Sequence, residues 1–248
     1  MIEIRNISKR FNGNEVLRNI WVNYEEGKTN LIIGQSGSGK TVLLKTMVGI
    51  YQPDEGEVLF DGISLNTQSS AELRELRKNI GMLFQGGALF DSYTVVENIK
   101  FPLDMFTQMT EKEKKERVRY CLERVNLENA GKLYPSQLSG GMQKRAAIAR
   151  AIVLNPRYLF CDEPNSGLDP QTATVIDQLI KDITKEFNIT TILNTHDMNS
   201  VLELGEKVVF LHQGTKAWEG TKDDIFNSGN ELLNEFIFAT TLAKHFRK

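Results

Sequence analysis

Along the first sixty positions, apolar residues cluster in short runs separated by glycine turns. The runs are residues 16–24, Leu31-Ile32-Ile33, and Val58-Leu59-Phe60, the last bounded by Gly56 and Asp61-Gly62. This pattern predicts strands, and the alternation of residues 1–5 adds another. Over residues 71–77 and 111–125 the apolar positions recur at helical spacing, with Pro135 read as the stop of the second helical region. A further helix is predicted through Ala146, Ile148, Ala149 and Ile152. Strand, turn and helix then alternate from residue 158 to 210, the signature of a mostly parallel sheet with crossover helices. Residues 231–238 return to helical spacing. The run Glu111-Lys112-Glu113-Lys114-Lys115-Glu116-Arg117 mixes signs too closely for a phosphate-binding patch and reads as a solvated helix face.

Composition narrows the picture. A chain of 248 residues with 40% hydrophobic content can bury the core of one large α/β domain carrying subdomains. The formal net charge of -2 supplies no basic field, so nucleic acid is not an expected partner. Cys121 and Cys161 lack the paired spacing of a zinc site or a disulfide framework, and Cys161, inside Tyr158-Leu159-Phe160-Cys161, reads as a small buried hydrophobe. The first residues lack the zones of a secretory leader. No stretch approaches the roughly 20 apolar residues that cross a bilayer, so a transport role would place the membrane path in partner chains.

The chemistry begins at Gly34-Gln35-Ser36-Gly37-Ser38-Gly39-Lys40-Thr41, directly after the apolar run at 31–33. It matches the phosphate-loop pattern in the context that pattern requires, a strand before it and a helix after it. The glycines let successive N–H groups turn toward a phosphate. The helix N-terminus favours the anion, Lys40 adds a point charge, and Thr41 can ligate Mg²⁺. A carboxylate at the tip of a buried strand should complete such a site, and Tyr158-Leu159-Phe160-Cys161-Asp162-Glu163 supplies two. Asp162 can hold Mg²⁺ while Glu163 polarises the attacking water as general base. These features predict a Mg²⁺-dependent nucleoside triphosphatase.

Leu138-Ser139-Gly140-Gly141-Met142-Gln143 stands just before the helix through Ala146 and makes a second N-terminus suited to an anion. One nucleotide needs only one complete phosphate loop. The spare cradle at Ser139, Gly140 and Gly141 therefore predicts a symmetric dimer in which each copy lends it to the other's nucleotide.

With these motifs in hand, nearly the whole chain resembles the ATPases of ABC transporters. Lys40, Gln85, Ser139, Asp162 with Glu163, Asp169 and His196 fall in order on the Walker A, Q-loop, signature, Walker B, D-loop and H-loop positions. The resemblance implies an α/β P-loop NTPase core with an antiparallel β subdomain and a helical subdomain at about residues 86–157. It also implies a C-terminal helical tail at about residues 225–248, in a single ABC ATPase domain over residues 1–248. ATP and Mg²⁺ are the implied ligands: Gln85 senses the metal and the membrane subunit, Ser139 and His196 contact the γ-phosphate in trans and in cis, and Phe11 stacks on adenine. His212 and His245 match no motif and are read as surface residues. Asn165 departs from the family, which usually has Thr after Asp-Glu-Pro, and leaves the tuning of the D-loop open.

Within the family, Gly86-Gly87-Ala88-Leu89-Phe90-Asp91-Ser92 resembles the ATPase of MCE-associated, Mla-type phospholipid transporters; the Thr94-Val95-Val96-Glu97-Asn98 that follows is shared with many importers. The implied partners are permease subunits docking near residues 85–90 and an MCE-domain protein, at the cytoplasmic face of the inner membrane. The alternative is an importer of amino acids or another small molecule. Ala88, Leu89 and Phe90 read first as a docking surface, with packing inside the helical subdomain as the alternative. The tail reads equally as a dimerisation and as a regulatory element.

Overall fold

A computed structural model describes residues 1–238. The chain divides into two compact units, Met1–Ser69 with Ile192–Lys248, and Ser70–Thr191.

Unit one opens with β1 (Ile2–Phe11), β2 (Asn14–Tyr24), β3 (Thr29–Ile33), α1 (Lys40–Met47), β4 (Glu55–Phe60) and β5 (Ile63–Ser64). Four of these strands form a sheet in the order β2-β1-β4-β5, with every pairing antiparallel. This is the antiparallel β element expected of the fold. Ile2, Ile4, Ile7, Leu17, Ile20, Val22 and Tyr24 are buried on it, alternating with more exposed positions as a half-covered sheet requires. Asn12 and Gly13 connect β1 to β2 with φ of 50° and 82°, the left-handed pair that a two-residue hairpin turn favours.

The central strand of unit one is β3, all five residues of which are buried. It pairs in parallel with β9 (Lys207–His212), Leu31 against Val208 and Ile33 against Phe210. Strand β10 (Thr215–Gly220) returns antiparallel along β9. On the other side of β3 lies β8 (Thr190–Thr195), followed by α7 (Met198–Leu204). The last element is α8 (Glu231–Ile237). The remainder of the expected tail, including His245, lies outside the described residues. His212 is half-buried beside Phe210 rather than free at the surface, because it closes a strand with a buried middle.

Unit two runs α2 (Ser70–Lys78), β6 (Ile80–Leu83), α3 (Val95–Phe106), α4 (Glu111–Arg124), α5 (Gly140–Ile152), β7 (Tyr158–Asp162) and α6 (Pro170–Glu186). Strands β6 and β7 pair in parallel. The helical insertion expected at about residues 86–157 falls on the stretch holding α3, α4 and α5. Both α3 and α4 start with a capping box, Thr94 with Glu97 and Thr110 with Glu113, where the hydroxyl and the carboxylate each satisfy an otherwise orphaned N–H. Each threonine cap contributes about 1 kcal/mol. The mixed-charge run lies along the exposed part of α4, where Lys114 pairs with Asp104 and Glu111 with Lys100.

One expectation changes here. Helix α4 stops at Arg124, well before Pro135: Asn126 takes φ 52°, and the N–H groups of Asn126 and Leu127 return to the carbonyls of Glu123 and Leu122. This is a left-handed cap with paired return bonds, and it needs no proline. Pro102 lies inside α3.

Asn98 accounts for the shape of the segment before α3. Its side chain is fully buried; the amide donates to the carbonyls of Phe90, Tyr93 and Thr94, and the side-chain oxygen accepts from the Phe90 N–H at 2.7 Å. One residue thus satisfies four backbone groups of a loop with no regular structure of its own. Asn98→Ala should cost about 2 kcal/mol, the usual penalty for stranding buried polar groups. Calorimetry is expected to show Tm falling by about 5 °C at this chain length, against no more than about 1 °C for Asp91→Ala in the exposed part of the loop.

Candidate nucleotide and signature sites

In unit one, residues 34–41 link the end of β3 to α1. Gly34, Gly37 and Gly39 take φ of 151°, 81° and 103°. A Cβ on Gly34 would stand 2.3 Å from the Leu211 carbonyl oxygen and 2.7 Å from Ser38 Oγ, so only glycine lets the backbone run there. Gln35, Ser36 and Gly37 are exposed, while Ser38, Gly39 and Lys40 are buried. Lys40 Nζ donates to the carbonyls of Gly34 at 2.9 Å and Gln35 at 3.1 Å, which arches the loop over its own lysine. Ser38 Oγ is buried without a hydrogen-bond partner. The loop is anchored through main chain: Gly214 N–H donates to the Ser38 carbonyl, and Arg18 N–H to the Gly214 carbonyl. Thr41 follows Lys40 in the first turn of α1, half-buried.

Phe11 ends β1, 36% exposed, with its ring edge-on to Tyr51 at 5.2 Å and Lys9 Nζ 5.3 Å from its centroid. A partly exposed ring held by an aromatic neighbour can offer a face to a planar ligand. Tyr51 carries no motif, so pattern reading overlooked it. His196 is exposed just past β8, and the turn behind it is fixed by Asp197, whose N–H donates to Thr195 Oγ1 and whose carboxylate caps α7.

In unit two, β7 is buried throughout and carries Asp162, 3% exposed, at its end. The thiol of Cys161 is fully buried, and burial pushes its pKa far up; Cys121 is likewise buried and is pushed up to about 11. Neither can form a thiolate at neutral pH. Glu163 leaves the strand with φ 46°, a left-handed conformation that costs a residue bearing a Cβ about 1 kcal/mol and aims the side chain away from the strand direction. Its Oε2 accepts from Gln85 Nε2 at 3.1 Å, and the same Gln85 amide reaches Ser166 Oγ at 3.3 Å. The structure therefore brings Gln85, Glu163 and Ser166 together, and Ser166 is an addition to the residues picked out by motif. Asn165 has a concrete partner in buried Asp177 on α6, to which its amide donates at 2.7 Å.

The second cluster of unit two joins Ser139 to Asp169. Ser139 caps α5, accepting from the Met142 N–H at 3.3 Å. Asp169 caps α6, accepting from the N–H and the hydroxyl of Thr172, which hold its carboxyl below the usual range. The two caps abut: a Cβ on Gly141 would lie 2.5 Å from Thr172 Cγ2, and one on Gly140 would lie 3.4 Å from Leu168 Cδ2. Small residues at 140 and 141 let the α5 terminus approach the 168–172 turn while leaving Ser139 and Gly140 exposed.

A sequence model of ABC transporters matches residues 17–166. The chain is 38% identical over 237 residues to the intermembrane phospholipid transport system ATP-binding protein MlaF of Haemophilus influenzae, covering 96% of this chain and 90% of that protein. It is 39% identical over 241 residues to the methionine import ATP-binding protein MetN of Carboxydothermus hydrogenoformans, covering 96% and 71%. Among solved structures, the dimeric ATP-binding cassette MJ0796 in a post-hydrolysis state with ADP and Pi superposes with a TM-score of 0.82 at 34% identity, over 90% of this chain and 99% of that one. The cassette cbiO1 from Clostridium perfringens gives 0.84 at 27% identity, over 100% and 98%. This chain belongs to the ABC transporter family and is one of its ATP-binding, ATP-hydrolysing domains.

Proposed function

We propose that ATP is held by residues 34–41 and hydrolysed with Glu163 as general base, in a dimer whose two nucleotides are each closed by Ser139 of the opposite copy. The residues fit a triphosphate: a loop that tolerates no Cβ at Gly34, a buried hydroxyl at Ser38 with no partner, and an adjacent ammonium are what a polyphosphate oxygen would use. On binding, Lys40 exchanges two loop carbonyls for phosphate oxygens. Phe11 supplies a ring face for the base. Among the described residues no cluster of three or more His, Cys, Asp or Glu could hold a metal by itself. Thr41, Asp162 and Gln85 are oxygen donors suited to Mg²⁺ that keeps phosphate and water ligands, and the metal would neutralise charge developing on the phosphates. Glu163 takes the proton of the attacking water, Gln85 orients that carboxylate, and His196 contacts the γ-phosphate from its own copy.

The cargo is phospholipid, moved between membranes by a permease and an MCE-domain protein with this chain on the cytoplasmic face. Among the described residues no helix is long and apolar enough to cross a membrane, so the permease would carry the path. Identity favours neither cargo, 38% to MlaF against 39% to MetN; the lipid reading rests on the resemblance of residues 86–92 to Mla-type ATPases. Residues 86–90 carry half-buried Leu89 and exposed Phe90, an apolar edge for the permease. The complex purified through a tag on this chain is expected to contain an MCE-domain protein, and its ATPase rate should change at least about twofold with phospholipid vesicles and not with methionine. Recovery of an amino-acid receptor in its place, with methionine as the stimulant, sinks the lipid reading.

A further inference from the structure

Helix α5 carries three cations that no nucleotide motif claims; Arg145 holds the carbonyls of Val125 and Asn126, and the other two reach the loop after β6. Lys144, 6% exposed, donates its ammonium to the main-chain carbonyl of Gln85. Arg150, further along the helix, donates to the carbonyls of Gly87 at 2.8 Å and Ala88 at 2.7 Å. The receiving loop has no regular structure: Gly87 and Ala88 take φ of 75° and 49°, and one turn bond joins Gly87 N–H to the Phe84 carbonyl. Three of its four carbonyls from 85 to 88 are thus bound to one helix. That helix begins at Ser139, and the loop begins with the residue whose side chain touches Glu163.

Burial holds the Lys144 ammonium below the ordinary lysine range, while the carboxylates of Asp162 and Glu163 oppose the shift. A buried ammonium with a carbonyl acceptor and acidic neighbours stays in place because any other position strands it. A side chain that served only to fill space between α5 and β6 would not need a charge.

We infer that Lys144 is a positioning residue for hydrolysis: by holding the Gln85 carbonyl against α5, it sets the Gln85 amide on Glu163 and makes the loop at 85–88 move with the helix that bears Ser139. This rests on the proposed roles of Gln85 and Glu163. The consequence is a split between kcat and KM. The phosphate loop and Phe11 belong to the other unit and keep their own anchors, so ATP binding is untouched, while the base loses its orientation.

The test is steady-state ATPase kinetics on Lys144→Met, which keeps the stem and removes the charge, on Lys144→Arg, on Gln85→Ala and on the double variant, with Glu163→Gln alongside. The methionine variant is expected to lose about 10-fold in kcat with KM for ATP within about twofold, and arginine, which can still donate, to retain activity within about threefold. In the Gln85→Ala background, Lys144→Met should cost less than about twofold more, because both act through one side chain. If methionine is not tolerated, Lys144→Gln, too short to reach the carbonyl, makes the same comparison. Wild-type kcat in the methionine variant, or losses that multiply in the double variant, overturn the inference. Should Glu163→Gln stay active, the reading of the base fails; an inactive Glu163→Gln with multiplying losses refutes Lys144 alone.

Discussion

Replacing Glu163 by Gln is expected to leave ATP binding intact and to lower the hydrolysis rate by about 10²-fold or more, as loss of a general base does. The substitution preserves size and the capacity to hydrogen-bond Gln85, so the backbone at φ 46° has no reason to move. What disappears is the ability to accept a proton. Asp162, the adjacent acid, cannot substitute: it closes a wholly buried strand, 3% exposed, whereas Glu163 has already turned out of that strand. Equilibrium binding of a fluorescent ATP analogue and single-turnover hydrolysis separate the two effects. Turnover near wild type would remove Glu163 from the chemistry and return the role to a water held by Gln85 or His196.

The positions of these two acids illustrate what the sequence makes legible. An apolar run ending in Asp-Glu announces a buried strand with carboxylates at its tip, and β7 has that form. The left-handed turn that separates the directions of Asp162 and Glu163 has no signal at all, since neither Gly nor Asn stands at 163. The same contrast runs through the fold. The phosphate loop is written in its glycines, and the strands of unit one in alternation and turns, because local sterics decide both. Pro102 sits within α3: with Thr94 and Glu97 capping the helix and Val95, Ile99 and Leu103 buried on one face, tertiary packing outweighs one missing N–H. Ser166, Lys144 and Tyr51 act through partners 81, 59 and 40 residues away in sequence, Gln85 for the first two and Phe11 for the third. No periodicity encodes such pairings. Asn165 belongs with them: as a motif residue it is an unexplained departure, and its amide on Asp177 makes it a tie between the tip of β7 and α6.

Mixing a Lys40→Ala chain with a Ser139→Arg chain is expected to restore ATPase activity that neither possesses alone. The argument begins with the spare N-terminus of α5, exposed at Ser139 and Gly140 and backed by Asp169 and Thr172 in the same unit. A cradle so built, on a chain that already has a complete phosphate loop, is explained if its anion belongs to another copy. In a mixed dimer one composite site then holds both lesions and the other neither. Mixed dimers isolated through two different tags should therefore show up to about half the wild-type rate, and each parent less than about 1%. Arginine at 139 also removes the α5 cap, which costs about 1 kcal/mol, so thermal melts of the parent must show it folded before the kinetics are read. If isolated mixed dimers of folded chains stay as inactive as their parents, the two anion cradles do not share a nucleotide, and the exposed terminus of α5 needs a different ligand.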